Sequence, residues 1–255
     1  MDLLANAARL LLGSILFRPY VFAFLAAYLV ASGRDLGWRR SLLFGGWTFA
    51  VAWTAELLST RVGIPFGLYR YTGTTRGQEL FLSNVPVFDP LSFVFLAYAS
   101  YCLARVALGR ATGRAVVAVA AGLMTLLDVV IDPLAVRGDR WFLGRLFYYP
   151  DGGVFYDVPL SNFAGWLIVG TLAVGGFALA SRGPVGSPVA GAGLYYAVLV
   201  FNLAVAWWIG ELGLLAFGLA LHLSLLLVWW CWYAGGVPRL PRVKITSLRG
   251  EGPRA

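Results

Sequence analysis

Runs of roughly twenty apolar residues recur along the chain, separated by short breaks that are charged or rich in glycine and proline. A helix rises about 1.5 Å per residue, so a run of this length crosses about 30 Å of hydrocarbon. The pattern therefore predicts an all-α, polytopic integral membrane protein with about seven transmembrane helices. The predicted spans lie near residues 19–33, 41–58, 86–104, 115–132 and 159–180, with two more in the apolar stretch 192–235, which Glu211 interrupts.

The two ends of the chain have patterns of their own. Near the start, apolar positions recur at helical spacing and predict an amphipathic helix that lies in the membrane interface. These positions are Leu3, Leu4, Ala7, Leu10 and Leu11. From Pro238 the sequence is basic, and we expect residues 238–255 to form a disordered cytoplasmic tail. Residues 1–237 are expected to form one transmembrane helical domain.

The distribution of charge supports seven spans. With that number, the first, third and fifth connections share a side with the tail, whereas five or six spans would mix basic and acidic segments. The basic residues on this side are Arg34, Arg39, Arg40, Arg105, Arg110, Arg114, Arg182, Arg239, Arg242, Lys244, Arg249 and Arg254. By the positive-inside rule this side is the cytoplasm, so the N-terminus is outside and the C-terminus is cytoplasmic. Arg9 and Arg18 fit this topology least well.

The composition agrees with a multi-pass protein of a bacterial or archaeal cell membrane. Hydrophobic residues make up 60% of the chain and charged residues 13%, whereas about a quarter of a soluble domain is charged. The net charge of +8 follows from membrane topology, so we expect no nucleic-acid partner. Nine acids fall on or near the outer side. They are Glu56, Glu79, Asp89, Asp128, Asp132, Asp139, Asp151, Asp157 and Glu211.

Two aspartates interrupt the apolar run "LLDVVIDPLAV". Asp128 and Asp132 are four residues apart and share one helix face, and Pro133 places them near the end of span four. The helix dipole, mutual repulsion and apolar neighbours all disfavour their charged forms. We therefore expect at least one to be a neutral acid, or to pair with a cation such as Arg61 or Arg137. A carboxylic acid that stays protonated near neutral pH is suited to general acid catalysis.

Other polar groups are expected at the same depth. Glu56 lies near the end of span two, Asp89 begins span three and Asn162 begins span five. The alternative is that these groups are solvated helix ends without chemistry. The outer connections, residues 59–85 and 133–158, are long and aromatic, which is typical of either a functional rim or an aromatic belt.

Missing residue types exclude several kinds of chemistry. His222 is the only histidine, which argues against a di-iron site. The only lysine, Lys244, lies in the tail and cannot form a Schiff base within the membrane. The two cysteines lie in apolar runs and indicate no disulfide framework. A D-x-x-x-D pair could hold Mg²⁺ for a prenyl diphosphate, but no clear second acidic motif accompanies it. We expect no metal and no cofactor.

Aromatic side chains are concentrated around the predicted outer half, where their π faces could stabilise a carbocation. They are Trp47, Trp53, Phe66, Tyr69, Tyr71, Phe88, Phe93, Tyr98, Tyr148, Tyr149, Phe155, Tyr156 and Trp166. Together with protonated carboxyls they suggest acid chemistry on an alkene dissolved in the membrane.

Four stretches, in their order and spacing, resemble a known family. "WTAELLSTRVGIPFGLYRYT", "VPVFDPLSFVFLAYASY", "LLDVVIDPLAV" and "VFYDVPLSNFAGW" resemble the carotenoid 1′,2′-hydratases of the CruF type, which include γ-carotene, lycopene and bisanhydrobacterioruberin hydratases. The resemblance covers about residues 45–170. It implies addition of water, without a cofactor, to the terminal C-1′,2′ double bond of an acyclic carotenoid end.

The resemblance also implies roles for individual residues. The catalytic residues carried over are Glu56, Asp128, Asp132 and Asn162. The substrate-binding residues that we expect beside them are Trp53, Arg61, Tyr69, Tyr71, Asp89, Phe93, Tyr149 and Trp166. The expected partners are a membrane-dissolved carotenoid, water, the lipid bilayer and other enzymes of the carotenoid pathway.

Three alternative functions remain open from the sequence. A membrane lycopene cyclase would use the same protonation but quench the cation by ring closure. A proton-coupled carrier would use intramembrane acids as a relay. A carotenoid-binding or scaffold protein without catalytic activity would tolerate loss of Asp128 and Asp132.

Overall fold

A computed structural model describes residues 3–181 and 185–234. These residues form eight α-helices connected by two long segments with short strands. The helices are α1 (Leu3–Phe17), α2 (Pro19–Asp35), α3 (Trp38–Val62), α4 (Phe88–Leu108), α5 (Arg114–Ala135), α6 (Leu160–Ala180), α7 (Val189–Trp208) and α8 (Leu212–Ala234). Helices α3 to α8 are each long and apolar enough to cross a membrane, which confirms the all-α polytopic fold. The predicted tail, residues 238–255, lies outside the described residues, as does Arg182.

The seventh span depends on a sharp bend. Helices α1 and α2 meet at an angle of 95°. Only the two helices together are long and apolar enough to be a candidate membrane span. Helix α2 by itself has 17 residues, enough for about 25 Å. Helix α1 leaves the bundle at the bend and exposes large apolar side chains, among them Leu4, Leu12 and Leu16. This geometry suits the predicted interfacial helix, whose position in a membrane stays a prediction.

Helix α4 forms the centre of the bundle. It packs against α2, α3, α5, α6 and α7, and every residue from Phe93 to Cys102 is buried. Helix α8 is peripheral, because its described buried residues are only Leu214, Gly218 and His222. The site described below therefore lies among α2 to α7, where the packing is densest.

One buried ion pair lies at each end of the bundle. At one end, Arg105 on α4 pairs with Asp35 at 2.5 Å and donates to the Gly186 carbonyl oxygen at 3.0 Å. At the opposite end, Arg18 pairs with Glu79 at 3.1 Å. Both residues of this second pair are 1% exposed. Arg18 does not follow the positive-inside pattern. Glu79 neutralises its charge, so the position of Arg18 carries no information about topology.

The two long connections form a single cap over the Arg18 end. Strand β1 (Arg70–Tyr71) pairs with β4 (Phe147–Tyr148), so the segments after α3 and after α5 are hydrogen-bonded to each other. Strands β2 (Phe81–Leu82) and β3 (Val85–Pro86) form a hairpin within the first segment. The cap covers the ends of α3 to α6, where the acidic residues lie.

Pro133 does not end α5 at Asp132 as the sequence suggested. The helix continues to Ala135, and its last carbonyl oxygens accept hydrogen bonds from side chains of the cap. Arg137 donates to the Pro133 carbonyl oxygen at 3.1 Å, and Trp141 donates to that of Leu134 at 2.9 Å. Asp132 therefore lies in the last turn, whereas Asp128 lies one turn deeper in the bundle.

Candidate active site

Asp128, Asp132 and Asn162 meet between α5 and α6. The Asn162 Nδ2 donates to Asp128 Oδ2 at 2.7 Å, and both residues are almost fully buried. The i, i+4 spacing on α5 places Asp132 one turn from Asp128, and Asp132 lines the same small cavity as Asn162 and Trp166 of α6. The result is a pair of neighbouring carboxyl groups, one of which accepts a hydrogen bond from Asn162.

A second carboxyl pair lies beside the first and is joined by a tyrosine of the cap. The Tyr71 hydroxyl lies 2.6 Å from Asp89 Oδ2 and 3.0 Å from Glu56 Oε2. The Tyr69 hydroxyl is 3.4 Å from that of Tyr71. Burial, with the nearby Asp89 and Glu56 carboxyls, raises the pKa of Tyr71 well above its usual value. Tyr71 therefore remains a neutral phenol with one hydrogen to donate.

A small cavity with polar and aromatic walls, here called the acid cavity, lies between the two pairs. Its volume is about 30 Å³, and a cavity larger than about 10–15 Å³ can hold a water molecule. Its polar lining comes from Glu56, Asp89, Asp132 and Asn162. Its aromatic lining comes from Phe66, Tyr69, Phe93, Phe147, Tyr149 and Trp166. No described group hydrogen-bonds Oε1 of Glu56 or Oδ1 of Asp128.

An apolar cavity of about 80 Å³ adjoins the acid cavity between α2, α4, α5 and α7. Its walls are mostly aliphatic and aromatic, and they include Tyr20, Phe24, Phe95 and Phe201. Four residues line both cavities and form the boundary between them. They are Asp89, Asp132, Phe147 and Trp166. A molecule in the apolar cavity would meet two carboxyls and a π system at this boundary.

The rings around the acid cavity pack closely. Phe93 and Trp166 stack with their centroids 4.2 Å apart and their planes 13° from parallel. Phe66 lies 5.9 Å from Phe93. On the cap side, Tyr149 packs edge-on to Tyr69 at 5.8 Å. Burial and the two aspartates of α5 raise the pKa of Tyr149. The cavity is thus enclosed by neutral aromatic groups.

Comparison with known proteins identifies the family. A family model described as a carotenoid biosynthesis protein matches residues 13–230. The chain belongs to this family. The match includes every residue of both carboxyl pairs and both cavities, which confirms the family suggested by the four sequence stretches.

One curated relative of this carotenoid biosynthesis protein is the bisanhydrobacterioruberin hydratase of Haloarcula japonica. The two are 34% identical over 180 residues, which cover 68% of this chain and 58% of the relative. The chain therefore spans less than two thirds of the length of the curated relative. No solved structure matches.

Most of the residues predicted for the site of this carotenoid biosynthesis protein come together. The four predicted catalytic residues adjoin one another, and Tyr69, Tyr71, Asp89, Phe93, Tyr149 and Trp166 surround them. Two residues predicted to bind substrate lie elsewhere. Trp53 donates to the Leu82 carbonyl oxygen at 3.2 Å, and Arg61 is exposed and donates to Ser83 Oγ at 3.3 Å. Neither lines the described cavities at the carboxyls.

The sequence offered a cation such as Arg61 or Arg137 as one of two alternatives for the aspartates, and neither arginine pairs with them. Arg137 pairs with Glu211 and Asp157, each at 3.1 Å, and donates to the Pro133 carbonyl oxygen at the end of α5. Within residues 3–181 and 185–234, no ion pair includes any of the four carboxyls. The other predicted state, in which at least one of the two aspartates is a neutral acid, stays a prediction.

Tyr98 was also expected in the outer half, and it lies at the opposite end. Its hydroxyl donates to Asp35 Oδ2 at 3.2 Å, beside Arg105. Conversely, the sequence missed Tyr20, Phe24 and Phe201, which line the apolar cavity. These residues lie in α2 and α7, where hydropathy alone carries the signal, and hydropathy does not distinguish a cavity wall from ordinary packing.

Proposed function

We propose that this protein is a carotenoid hydratase that adds water to the terminal C-1′,2′ double bond of an acyclic carotenoid end. The single observation that carries the proposal is that Asp132 and Asp89 line both a water-sized polar cavity and an apolar cavity. The alkene end would occupy the apolar cavity and the water would occupy the acid cavity. The similarity to a bisanhydrobacterioruberin hydratase supports the same reaction class.

The lining of the two cavities supports Asp132 as the proton donor. Asp128 and Asp132 lie one helix turn apart without a cation, and two like charges this close are costly, so we infer that the pair holds one proton. Asp132 lines both cavities, whereas Asp128 lines neither. Asp128 then acts as a positioning residue, held by Asn162, that keeps the proton on Asp132.

Asp89 is suited to be the base. A phenol has one hydrogen, so Tyr71 donates to only one carboxyl of the second pair. Tyr71 lies 2.6 Å from Asp89 and 3.0 Å from Glu56, so we assign its hydrogen to the shorter contact, with Asp89. A proton on Glu56 would then serve the second contact. The unpartnered Oε1 of Glu56 is free to hold the water.

The proposed reaction begins with proton transfer from Asp132 to C-2′. The π electrons of the double bond form the new C–H bond and leave a tertiary cation at C-1′. The π system of Trp166, which lines both cavities, stabilises that cation. The oxygen of the water bonds to C-1′, and one of its protons passes to Asp89. That proton returns to Asp132 across the cavity that both residues line, so a tertiary alcohol leaves and the site is restored.

The acid cavity favours hydration over the nearest alternative. A lycopene cyclase would protonate the same kind of alkene, but it would close a ring and would not need a polar, water-sized space beside the cation. In this chain the space lies against the same two carboxyls that meet the apolar cavity. A carrier or a carotenoid-binding protein would not need carboxyl groups that line both an apolar cavity and a water-sized cavity.

We also propose that the cap faces the outside of the cell membrane. The exposed arginines Arg34, Arg39 and Arg110 lie at the end marked by the Asp35–Arg105 pair, which is the side that the sequence assigns to the cytoplasm under seven spans. The exposed arginines of the cap, among them Arg61, Arg70 and Arg76, lie at the other end. The substrate would reach the apolar cavity from the bilayer, and water would enter from the side of the cap.

The proposal is tested in a bacterial host that accumulates lycopene or γ-carotene. Expression of the chain should convert part of the pigment to a product heavier by one water per reacted end, measured by mass spectrometry. An Asp132→Asn variant that inserts normally should leave the pigment unchanged. A product of unchanged mass with a shorter-wavelength absorption would identify a cyclase instead, and no conversion of any acyclic carotenoid would contradict both enzymes.

A further inference from the structure

A second concave site, here called the basic pocket, lies on the outer side of Tyr71. Its volume is about 330 Å³. The polar side chains that line it are Thr60, Arg61, Arg70, Tyr71, Arg76 and Asn84. Arg61 ends α3, Arg70 begins β1, and Arg76 lies in the loop before the β2–β3 hairpin. The fold thus brings three guanidinium groups from separate segments to one pocket.

These three arginines lack acidic partners, unlike others at the same end. Arg18, Arg137 and Arg140 all form ion pairs with cap or helix carboxylates. In the part of the chain that the structure describes, no carboxylate pairs with Arg61, Arg70 or Arg76. Three unneutralised positive charges around one concavity repel one another, and an anion between them would remove that repulsion.

Two of the arginines are held in place by the hairpin. Arg61 donates to Ser83 Oγ at 3.3 Å. The Arg76 guanidinium lies 5.0 Å from the centre of the Phe81 ring and donates to the Ser83 carbonyl oxygen at 3.5 Å. Ser83 has a left-handed φ of 64° in the turn of the hairpin. The Asn84 side-chain amide donates to Thr60 Oγ1 at 2.9 Å. The pocket is therefore preorganised although its arginines are exposed.

Exposed apolar side chains surround the basic pocket. Val62 and Ile64 are 65% and 66% exposed, and Leu68 and Leu82 are 39% and 44% exposed. Leu68 also lines the pocket itself. A ligand that suits both features carries an anion that guanidinium groups bind well, such as a phosphate, and an attached apolar chain.

We propose that the basic pocket binds the phosphate group of an anionic membrane phospholipid. The arginines would contact the phosphate, and the acyl chains would lie along the exposed side chains at the end of α3 and on the hairpin. The depth agrees, since the pocket lies where the cap meets the ends of the spanning helices. This site is separate from the proposed hydratase function and does not rest on it, although Tyr71 contacts both.

The experiment uses the full chain, purified in detergent, with short-chain dihexanoyl lipids as probes. Thermal melting is followed against dihexanoyl phosphatidylglycerol, dihexanoyl phosphatidylcholine and inorganic phosphate at equal ionic strength. We expect saturable stabilisation by phosphatidylglycerol alone. Each of Arg61→Gln, Arg70→Gln and Arg76→Gln should raise its apparent Kd about fivefold, because one arginine near an anionic lipid is worth about that factor.

Arg145→Gln is the matched control. Arg145 is exposed in the same cap and does not line the basic pocket, so its variant loses the same charge but should keep the wild-type Kd. Native mass spectrometry of lipid retained by each variant gives a readout that does not depend on the melting temperature. Equal stabilisation by phosphatidylcholine, equal stabilisation by inorganic phosphate, or an equal loss in Arg145→Gln would each overturn the proposal.

Discussion

Asp132 owes its proposed role to its neighbours rather than to its own position on α5. It lies one turn from Asp128, lines the acid cavity with Asn162 and Trp166, and has no cation among the described ion pairs. Two ionised carboxyls at this distance would repel each other, and a proton on Asp132 removes that repulsion while Asn162 stabilises the charge on Asp128. The same proton is then available to an alkene in the apolar cavity.

The first residue-scale prediction concerns this proton. Asp132→Asn keeps the size of the side chain and removes the acid, so hydration should fall about 10²- to 10⁴-fold. The melting temperature should not fall, since the substitution removes a buried ionisable group. Asp151→Asn, in the exposed cap turn, is the control and should keep full activity. Full activity in Asp132→Asn, measured by product mass, would remove Asp132 from the mechanism.

The second residue-scale prediction concerns the aromatic wall. Trp166→Leu should slow hydration about 2- to 30-fold, the range expected for losing one cation–π contact. Trp166→Phe keeps a π face and should lose less. Trp53→Leu is the control, because Trp53 lies away from both cavities. Equal rates for all three variants would assign Trp166 to packing alone.

At the scale of elements, Arg18 connects three parts of the fold. It lies at the bend between α1 and α2, pairs with Glu79 of the first cap segment, and donates to the Leu143 carbonyl oxygen of the second at 2.5 Å. Its guanidinium also lies 4.5 Å from the centre of the Phe88 ring at the start of α4. Leu143 and Phe88 line the apolar cavity, so this contact shapes the proposed substrate site.

This arrangement predicts a large effect from removing only one charge. Glu79→Gln leaves Arg18 buried without a counter-charge and should reduce the free energy of unfolding by about 3–5 kcal/mol. The double variant Arg18→Leu with Glu79→Leu should recover part of the loss, because no buried charge remains unpaired. Chemical denaturation in detergent measures both. A Glu79→Gln protein as stable as the wild type would mean that Arg18 finds another partner.

At the scale of the whole molecule, the helices α2 to α8 alternate in direction. The cap end holds the carboxyl pairs and the basic pocket, and the opposite end holds the Asp35–Arg105 pair. The acids of the candidate site thus lie at one end of the bundle, as the sequence predicted, but that end carries many arginines as well.

The proposed orientation predicts which end an impermeant thiol reagent reaches in intact cells. In a Cys231→Ser background, Asp151→Cys in the cap should react from outside. Arg110→Cys, exposed at the opposite end, should react only after the membrane is permeabilised. The native Cys102 is buried and should stay unlabelled. The reverse labelling pattern would invert the topology and place the proposed water entrance in the cytoplasm.

Much of this architecture could be predicted from the sequence. The length of each apolar run determines the number of spans and their approximate positions, because a helix must cross a hydrocarbon layer of set thickness. The spacing of Asp128 and Asp132 determines that they share a helix face. Glu56, Asp89 and Asn162 lie near the ends of predicted spans, which predicted that they share one depth. In the structure they lie beside the aspartates.

Only the tertiary structure decided which neighbours each group has. The rotation of a helix about its own axis and the pairing of strands β1 and β4 across the chain leave no periodic signal in the sequence. Because of these features, Arg61 and Arg137 do not contact the carboxyls. For the same reason Tyr71 hydrogen-bonds to Asp89 and Glu56, and Tyr20 and Phe201 line a cavity. Hydrophobic length is a local property and can be read residue by residue, whereas a shared proton or a cavity exists only where distant segments meet.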